Sequence, residues 1–176
     1  DTEVKRIEND SRRVEEGALF FCIRGALSDG HKYVPDVVEK GAAVLVVMEE
    51  VEAPKTVTVI QVEDTRYAMA LISAAWYGYP AEQMKVIGIT GTKGKTTTTY
   101  MVKSILEAAG HKVGLIGTIE AIIGDTHIPA SNTTPESITI QKYFRMMVDA
   151  GCDAAVMEVS SQGLKLHRTA GMPFEI

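Results

Sequence analysis

Cysteine and long apolar runs are both scarce in this sequence of 176 residues. The longest apolar run, residues 42–48, is far shorter than the roughly 18 residues that a membrane-spanning helix needs. Cys22 and Cys152 lack the CxxC or Cys/His spacing of a metal site. The N-terminus also lacks the apolar segment of a targeting signal. We therefore expect no membrane span, two buried thiols, and a reducing compartment, the cytoplasm.

An excess of positive charge is absent as well. The chain has 18 basic and 23 acidic residues, a net charge of −5, and no basic tract. A wide electrostatic surface for nucleic acid is therefore not expected, and an anionic ligand must be bound by a local cluster. Internal repeats are absent, while 45% hydrophobic residues are enough for a buried core.

Strand-like and helix-like patterns alternate through the first half. The apolar or β-branched runs 18–23, 43–48 and 56–62 predict strands. A short helix is predicted at residues 35–40, with Pro35 at its start and Gly41 directly after its end. A second helix is predicted from Asp64, as its N-cap, to about Tyr77. Gly, Tyr and Pro at positions 78–80 then break the pattern, which places a domain boundary near residues 78–85.

The same alternation restarts in the second half. Strands are predicted at residues 86–90, 113–116 and 154–159, and helices at 95–109 and 138–150. The predicted fold class is therefore α/β. A small N-terminal α/β domain, residues 1–83, is followed by the first part of a mostly parallel-sheet P-loop domain, residues 84–176.

The strongest motif is ITGTKGKTTTT, residues 89–99, between a predicted strand and a predicted helix. Its glycines allow backbone N–H groups to turn toward phosphate oxygens, and the helix N-terminus adds a favourable dipole. In this pattern Lys95 reaches the β and γ phosphates, and the Thr96 hydroxyl ligates Mg²⁺. A glycine turn that only caps a helix is the alternative, but four consecutive threonines are unfavourable in a purely structural first turn.

Two further segments carry weaker signals. Glu158 ends a predicted strand, where an acidic residue of a P-loop fold holds Mg²⁺, although a solvated carboxylate is equally plausible there. SNTTPES, residues 131–137, precedes a predicted helix, and ordinary turn chemistry explains it better than ligand contact does. The turns at residues 10–12 and 25–31 have the same ambiguity.

Five segments, taken together in their order and spacing, resemble the Mur ligase family. The resemblance is to the members that add the third residue of the peptidoglycan stem peptide, and it covers essentially all 176 residues. The segments are DSRRVEEGALFFCIRG (10–25), SDGHKYVPDVVEKGA (28–42), GITGTKGKTTT (88–98), SNTTP (131–135) and MEVSSQGLKLHR (157–168).

The resemblance implies roles for individual residues. Lys95 and Glu158 match catalytic positions, and Thr96 and Glu158 match magnesium ligands. The implied ATP-binding residues are Gly91, Thr92, Lys93, Gly94, Lys95, Thr96 and Thr97. The implied contacts to the UDP substrate are Asn9, Ser11, Ala26, Leu27 and Ser28 for its uridine diphosphate end, and Asn132, Thr133, Thr134, Ser160 and Arg168 for its muramoyl-peptide end.

The implied activity is that of an ATP-dependent amide ligase of peptidoglycan precursor synthesis, with ATP and Mg²⁺ as cofactors. Such an enzyme adds a diamino acid, meso-diaminopimelate in preference to L-lysine, to UDP-N-acetylmuramoyl-L-alanyl-D-glutamate through an acyl phosphate. The family has three domains, and this chain matches the first and the start of the second. We expect a monomer that is inactive at this length and whose second sheet has an unpaired edge.

Other classes of protein remain as alternatives. A kinase or generic P-loop NTPase would use Lys95 in the same way but would not need the first 80 residues. A folylpolyglutamate-type ligase would share the ATPase part and lack the DSR segment. The chain could also act only as a binding module. Binding of the UDP substrate without ATP separates the first of these from a Mur ligase.

Overall fold

The computed structural model describes residues 2–25 and 28–176. The chain divides into two compact units, Asp1–Met69 and Ala70–Ile176. Within the described ranges, no helix is long and apolar enough to cross a membrane.

The first unit contains a four-stranded, all-parallel sheet whose strand order follows the chain, β1-β2-β3-β4. Its strands are β1 (Arg6–Glu8), β2 (Ala18–Phe21), β3 (Val44–Val47) and β4 (Thr58–Gln61), and its first helix is α1 (Val34–Glu39). Helix α2 (Thr65–Trp76) begins in this unit, and the division between the units lies within it. As expected, Asp64 caps α2, because its Oδ1 accepts from the N–H groups of Arg66 and Tyr67.

The core of the first unit forms around its two central strands. Every residue of β2 and β3 is buried, whereas every residue of the edge strand β4 is exposed. This explains the continuous apolar runs of β2 and β3, since a central parallel strand is covered on both faces. Phe20 and Leu45 pack with Val37 of α1 in this core.

The second unit contains a five-stranded mixed sheet of order β5-β9-β6-β7-β8. Its strands are β5 (Lys85–Ile89), β6 (Val113–Ile116), β7 (Glu120–Ile123), β8 (Thr126–Pro129) and β9 (Ala154–Glu158). Its helices are α3 (Lys95–Ala108), α4 (Ser137–Asp149) and α5 (Ser161–Lys165). Strands β5, β9 and β6 are parallel, and β7 and β8 add an antiparallel hairpin.

Helices α3 and α4 cover opposite faces of this sheet. Along β9, Ala154 and Val156 belong to a cluster with α3, whereas Ala155 and Met157 belong to the cluster that contains Phe144 of α4. Alternate residues of a strand point to opposite faces, so the two clusters lie on the two sides. The carboxyl ends of β5 and β9, where each parallel strand leaves the sheet, carry the motifs that the sequence singled out.

The α/β class and the mostly parallel arrangement of the predicted strands are confirmed, but the sequence reasoning omitted β1, the β7–β8 hairpin and α5. The C-terminal residues bond to β5, one of the two edge strands of the second sheet, and the expectation of an unpaired edge stays a prediction. The N–H of Gly88 donates to the carbonyl of Ile176, and the N–H of Glu175 donates to the carbonyl of Val86. The predicted domain boundary at residues 83 and 84 stays a prediction.

Candidate functional site

The glycine-rich loop joins β5 to α3 in the second unit. Gly91 has φ 143° and Gly94 has φ 79°, and both values lie in a region that L side chains rarely adopt. Gly94 is the N-cap of α3, and no side chain caps the helix there. The first N–H groups of a 14-residue helix are therefore available to an anion, and the helix dipole favours one.

The loop's side chains divide into exposed and anchored groups. Thr92, Lys93 and Thr97 are exposed. The ammonium of Lys95 donates to the carbonyl of Gly91 at 2.8 Å, so it lies against its own loop. Thr99 is fully buried and donates to the carbonyl of Lys95, which makes it part of the helix framework.

Glu158, the last residue of β9, is a buried carboxylate beside this loop. Its side chain is 1% exposed. Its Oε2 accepts from the Thr96 hydroxyl at 3.1 Å and from the Thr118 hydroxyl at 3.0 Å, and its Oε1 accepts from the Thr118 N–H at 2.8 Å. Among the described residues, no lysine, arginine or histidine forms an ion pair with it.

A divalent cation fits this arrangement of donors. A buried carboxylate without a protein cation is costly unless a metal ion or a proton neutralises it. Carboxylate and hydroxyl oxygens are the ligands that Mg²⁺ prefers, and it usually keeps waters and nucleotide phosphates as its other ligands. Thr96 and Glu158, the two predicted metal ligands, are already in hydrogen-bond contact.

The segment of residues 131–136 lies beside the same strand end, but its residues are used differently. Thr134 is 1% exposed. Its hydroxyl donates to the carbonyl of Glu158 and accepts from the N–H of Ser160. Arg168 donates to the carbonyl of Thr134 and to the carboxylate of Glu136. These bonds hold the segment in place, and the substrate contacts predicted for Thr134 and Arg168 stay predictions.

The other residues predicted to contact the muramoyl-peptide end differ in exposure. Asn132 is exposed and lines a small cavity of about 130 Å³ with Tyr143 and Ile128. Thr133 is half-buried, and its hydroxyl is in contact with that of Thr118. The Ser160 hydroxyl accepts from the N–H of Gly163 and thereby caps α5.

The first unit has a cavity of its own, with a volume of about 590 Å³. Of the residues predicted to contact uridine diphosphate, Asn9, Ser11 and Ser28 line it. Ala26 and Leu27, predicted in the same role, lie outside the described residues. The cavity is also lined by Asp10, Arg12, Arg13, Phe20, Ile23, Gly30 and Tyr33.

Of the two arginines of this cavity, Arg12 lies in the turn at residues 10–12 that the sequence left ambiguous, and Arg13 was missed although the DSRR segment contained the signal. Adjacent guanidinium groups after Ser11 are suited to the charge of a diphosphate. Arg12 donates to both carboxylate oxygens of Asp10 and lowers the pKa of Asp10 to about 2. The ammonium of Lys40 donates to the carbonyl of Ser11 at 2.9 Å and so supports the same wall.

A hydrogen-bonded cluster forms around Asp29, which lies in the chain between Ser28 and Gly30 of the cavity lining. The Asp29 carboxylate accepts from the N–H of His31, from a ring nitrogen of His31 at 2.6 Å, and from Arg24. These bonds, that to the His31 ring above all, lower the pKa of Asp29 to about 2. The other ring nitrogen of His31 accepts from the N–H of Met48, and Arg24 also binds Glu49. Because both ring nitrogens are engaged, the cluster of Asp29, His31 and Glu49 is explained without a metal ion.

Two family profiles match the chain, one in each half. The profile described as "Mur ligase family, catalytic domain" matches residues 3–77. The profile described as "Mur ligase middle domain" matches residues 89–176, which is half of the chain. The chain belongs to the Mur ligase family. The resemblance stated from the sequence is thereby confirmed.

Curated relatives of this Mur ligase chain share about half of its residues. A protein of Clostridium acetobutylicum is 51% identical over 173 residues, which cover 98% of this chain and 36% of the relative. One of Bacillus licheniformis is 50% identical over 176 residues, with 100% and 36% covered. Both are named UDP-N-acetylmuramoyl-L-alanyl-D-glutamate--2,6-diaminopimelate ligase, the first with the suffix 1. The chain thus spans 36% of the length of these relatives.

A solved structure supports the fold of the Mur ligase chain. It is described as the structure of a UDP-N-acetylmuramoyl-L-alanyl-D-glutamate--2,6-diaminopimelate ligase. It matches with a TM-score of 0.83 and 21% sequence identity, and the match covers 98% of this chain and 35% of that one. This likeness confirms the fold.

Proposed function

We propose that the chain carries the UDP-substrate-binding and nucleotide-binding parts of an ATP-dependent amide ligase. The reaction adds a diamino acid, meso-diaminopimelate in preference to L-lysine, to UDP-N-acetylmuramoyl-L-alanyl-D-glutamate. The observation that carries the proposal is Glu158, buried without a protein cation and bonded to Thr96 of the glycine-rich loop. Relatives about half identical, named for this reaction, support the choice of substrates.

In this proposal the 590 Å³ cavity of the first unit binds the uridine diphosphate end of the substrate. Asn9, Ser11 and Ser28 supply polar contacts, and Arg12 and Arg13 supply positive charge toward the diphosphate. The muramoyl-peptide end is bound by the second unit, at Asn132, Thr133, Thr134, Ser160 and Arg168. Of this set, the Asn132 side chain is exposed to a ligand. The Thr133 side chain is held by one exposed hydroxyl contact, that with Thr118.

The nucleotide is bound by residues 91–97. The uncapped N-terminus of α3 directs N–H groups at the phosphates, and Lys95 exchanges its contact with the Gly91 carbonyl for the β and γ phosphates. Thr96 and Glu158 hold Mg²⁺, which supplies charge neutralisation for the transferring phosphoryl group. Thr118 donates a hydrogen bond to each oxygen of the Glu158 carboxylate.

Amide formation then proceeds in two steps. The D-glutamate carboxylate attacks the γ-phosphorus of ATP, the bond to the β-phosphate oxygen breaks, and an acyl phosphate and ADP are formed. The amine of the diamino acid attacks the acyl carbon, phosphate leaves, and the amine loses a proton. The residues described in this chain act mainly in the first step, through positioning and electrostatic stabilisation.

We place the protein in the cytoplasm, as a monomer. Cys22 and Cys152 are both free and buried, which suits a reducing compartment. Burial raises the pKa of the Cys22 thiol to about 12, so this thiol is unreactive.

Substitution of Lys95 tests the nucleotide assignment. We expect Lys95→Ala to weaken ADP binding in the presence of Mg²⁺ by about tenfold or more, because a hydrogen bond from a charged donor is lost. Binding of UDP is expected to stay within about twofold, since its assigned residues lie in the other unit. Calorimetric titration of the 176-residue chain with each ligand measures both.

Lys142→Ala is the matched control, because Lys142 is an exposed lysine on α4. Unchanged ADP affinity in Lys95→Ala would contradict the assignment of the loop. In a ligase assay of a protein as long as the curated relatives, Lys95→Ala is expected to abolish turnover. The 176-residue chain alone is expected to form no amide, since it spans 36% of their length.

A further inference from the structure

Thr118, in the turn between β6 and β7, holds the buried carboxylate of Glu158 at both oxygens. Its backbone N–H donates to Oε1 at 2.8 Å, and its hydroxyl lies 3.0 Å from Oε2. Thr118 therefore supplies two of the three hydrogen bonds that the Glu158 side chain receives from residues 2–25 and 28–176. A carboxylate that accepts hydrogen bonds at both oxygens is held in one plane, because rotation about its terminal C–C bond would break both contacts.

The preceding residue allows this close approach. A Cβ atom at Gly117 would lie 2.7 Å from Oε1 of Glu158, closer than real Cβ contacts. A side chain at position 117 would therefore push the carboxylate out of its place. Gly117 and Thr118 together form a backbone cradle for the end of the Glu158 side chain.

The Thr118 hydroxyl also lies 3.0 Å from the hydroxyl of Thr133. One hydroxyl carries one proton, and a carboxylate oxygen can only accept. The Thr118 hydroxyl lies in a donor position toward both Glu158 and Thr133, so its single proton is shared between the carboxylate and the Thr133 hydroxyl. These contacts make a continuous chain from the segment of residues 131–136 to the carboxylate at the end of β9.

We propose that Thr118 is a positioning residue that orients Glu158 toward the nucleotide-bound metal ion and joins it to Thr133. The proposal rests on the proposed function, which assigns Glu158 to the metal and Thr133 to the acceptor substrate. Thr118 touches neither the metal nor the substrate in this role. It acts through the hydroxyl bonds on its two sides, so metal affinity depends on its hydroxyl group.

Metal binding to two variants tests the role of the hydroxyl. Thr118→Val keeps the shape and the N–H but loses the hydroxyl, and Thr118→Ser keeps both hydrogen-bonding groups. We expect Thr118→Val to weaken Mn²⁺ binding in the presence of ADP by about tenfold, the usual loss when a ligand's outer partner is removed. Thr118→Ser is expected to stay within about threefold of the parent. Electron paramagnetic resonance measures free Mn²⁺ with the 176-residue chain.

Thr126→Val is the matched control, because Thr126 is an exposed threonine on β8. It is expected to leave Mn²⁺ affinity unchanged. Equal Mn²⁺ affinity in the parent and in Thr118→Val overturns the proposal. Equal weakening in Thr118→Val and Thr118→Ser also overturns it, because the hydroxyl would then not be the group that matters.

A second measurement separates this proposal from the proposed function. In the metal-free protein, methyl NMR signals of Thr96 and Thr133 are expected to shift in Thr118→Val and to stay in place in Thr118→Ser. Unshifted signals in Thr118→Val overturn the positioning role, whatever the metal does. A different outcome is that the signals shift in Thr118→Val while the parent protein binds no Mn²⁺ with ADP. That outcome would refute the assignment of Glu158 to a metal, and with it the proposed function.

Discussion

At the scale of single residues, two carboxylates have low pKa values for local reasons. The pKa of Asp10 is lowered to about 2 chiefly by hydrogen bonds from Arg12, and that of Asp29 to about 2 chiefly by hydrogen bonds from His31. A folded-state pKa below the ordinary value of 3.8 means that ionisation stabilises the fold. This contribution is present above about pH 4 and is lost as the pH falls toward about 2.

We expect Asp29→Asn to reduce the acid sensitivity of the first unit. The variant is expected to be less stable than the parent at pH 7, because the charge-assisted bonds to His31 and Arg24 are gone. Its stability is expected to change less between pH 4 and pH 2. Urea midpoints, read from the backbone NMR signals of β2 and β3, measure both effects.

Asp125→Asn, at an exposed aspartate in the β7–β8 turn, is the control. It is expected to leave the pH dependence of β2 and β3 unchanged. A parallel loss of stability in the parent and in Asp29→Asn between pH 4 and pH 2 would show that Asp29 does not contribute to acid unfolding.

At the scale of elements, α4 shows how an apolar stripe decides packing. Ile140, Phe144 and Met147 recur at helical spacing, and all three are fully buried against the sheet. We expect Met147→Ala to destabilise the second unit by about 2–5 kcal/mol, since it leaves a cavity in a closed core. Met101→Ala, on the exposed face of α3, is expected to change stability by less than about 0.5 kcal/mol. Chemical unfolding measures both.

Gly114 of β6 provides a further check on this core. A Cβ atom at Gly114 would clash with the Met147 side chain. Gly114→Ala alone is therefore expected to cost about 1–3 kcal/mol through overpacking. Combined with Met147→Ala it should cost much less, because the new methyl group occupies vacated space. Strictly additive losses would show that the two positions do not share a cavity.

Most elements of both units were predictable because their patterns are local. The strands β2, β3 and β6 and the helices α2 and α3 are bounded by apolar runs, caps and glycines that act within a few residues. The β7–β8 hairpin was missed although Gly124–Asp125 between β-branched residues is a two-residue turn signal. Strand β1 has three residues and one buried side chain, which is too short for a pattern.

The candidate site was predictable only where one segment contains the chemistry. The loop at residues 91–97 brings its own glycines, lysine and threonines together. The role of Thr118 depends on the pairing of β6 with β9, which brings positions 118 and 158 together from distant parts of the chain. Nothing local to Thr118 distinguishes it from an ordinary turn threonine.

At the scale of the whole molecule, the two units are expected to respond to different ligands. We expect UDP to slow hydrogen exchange in residues 9–33, and ADP with Mg²⁺ to slow it in residues 91–97 and at Glu158. A ligand at 100 times its Kd stabilises the unit that binds it by about 2.7 kcal/mol, which exchange rates detect readily. Mass spectrometry of peptides after exchange measures each unit separately.

Lys95→Ala gives the matched control for this experiment. The variant is expected to lose the protection by ADP and to keep the protection by UDP. Protection of residues 91–97 by UDP alone would contradict the assignment of UDP to the first unit and of ADP to the second. Protection of neither region by UDP would refute the assignment of the first cavity.

The strand orders of the two sheets have a consequence for synthesis on the ribosome. Each strand of the first sheet pairs with the one made just before it, so that sheet can grow as the chain emerges. In the second sheet β9 is made last and lies between β5 and β6. At about 5–20 residues per second, β5 waits roughly 4–14 s for this central partner. During that interval the apolar side chains of β5 and β6 lack the strand that lies between them and are exposed to chaperones. The second unit is therefore the half of the nascent chain that is more open to misfolding.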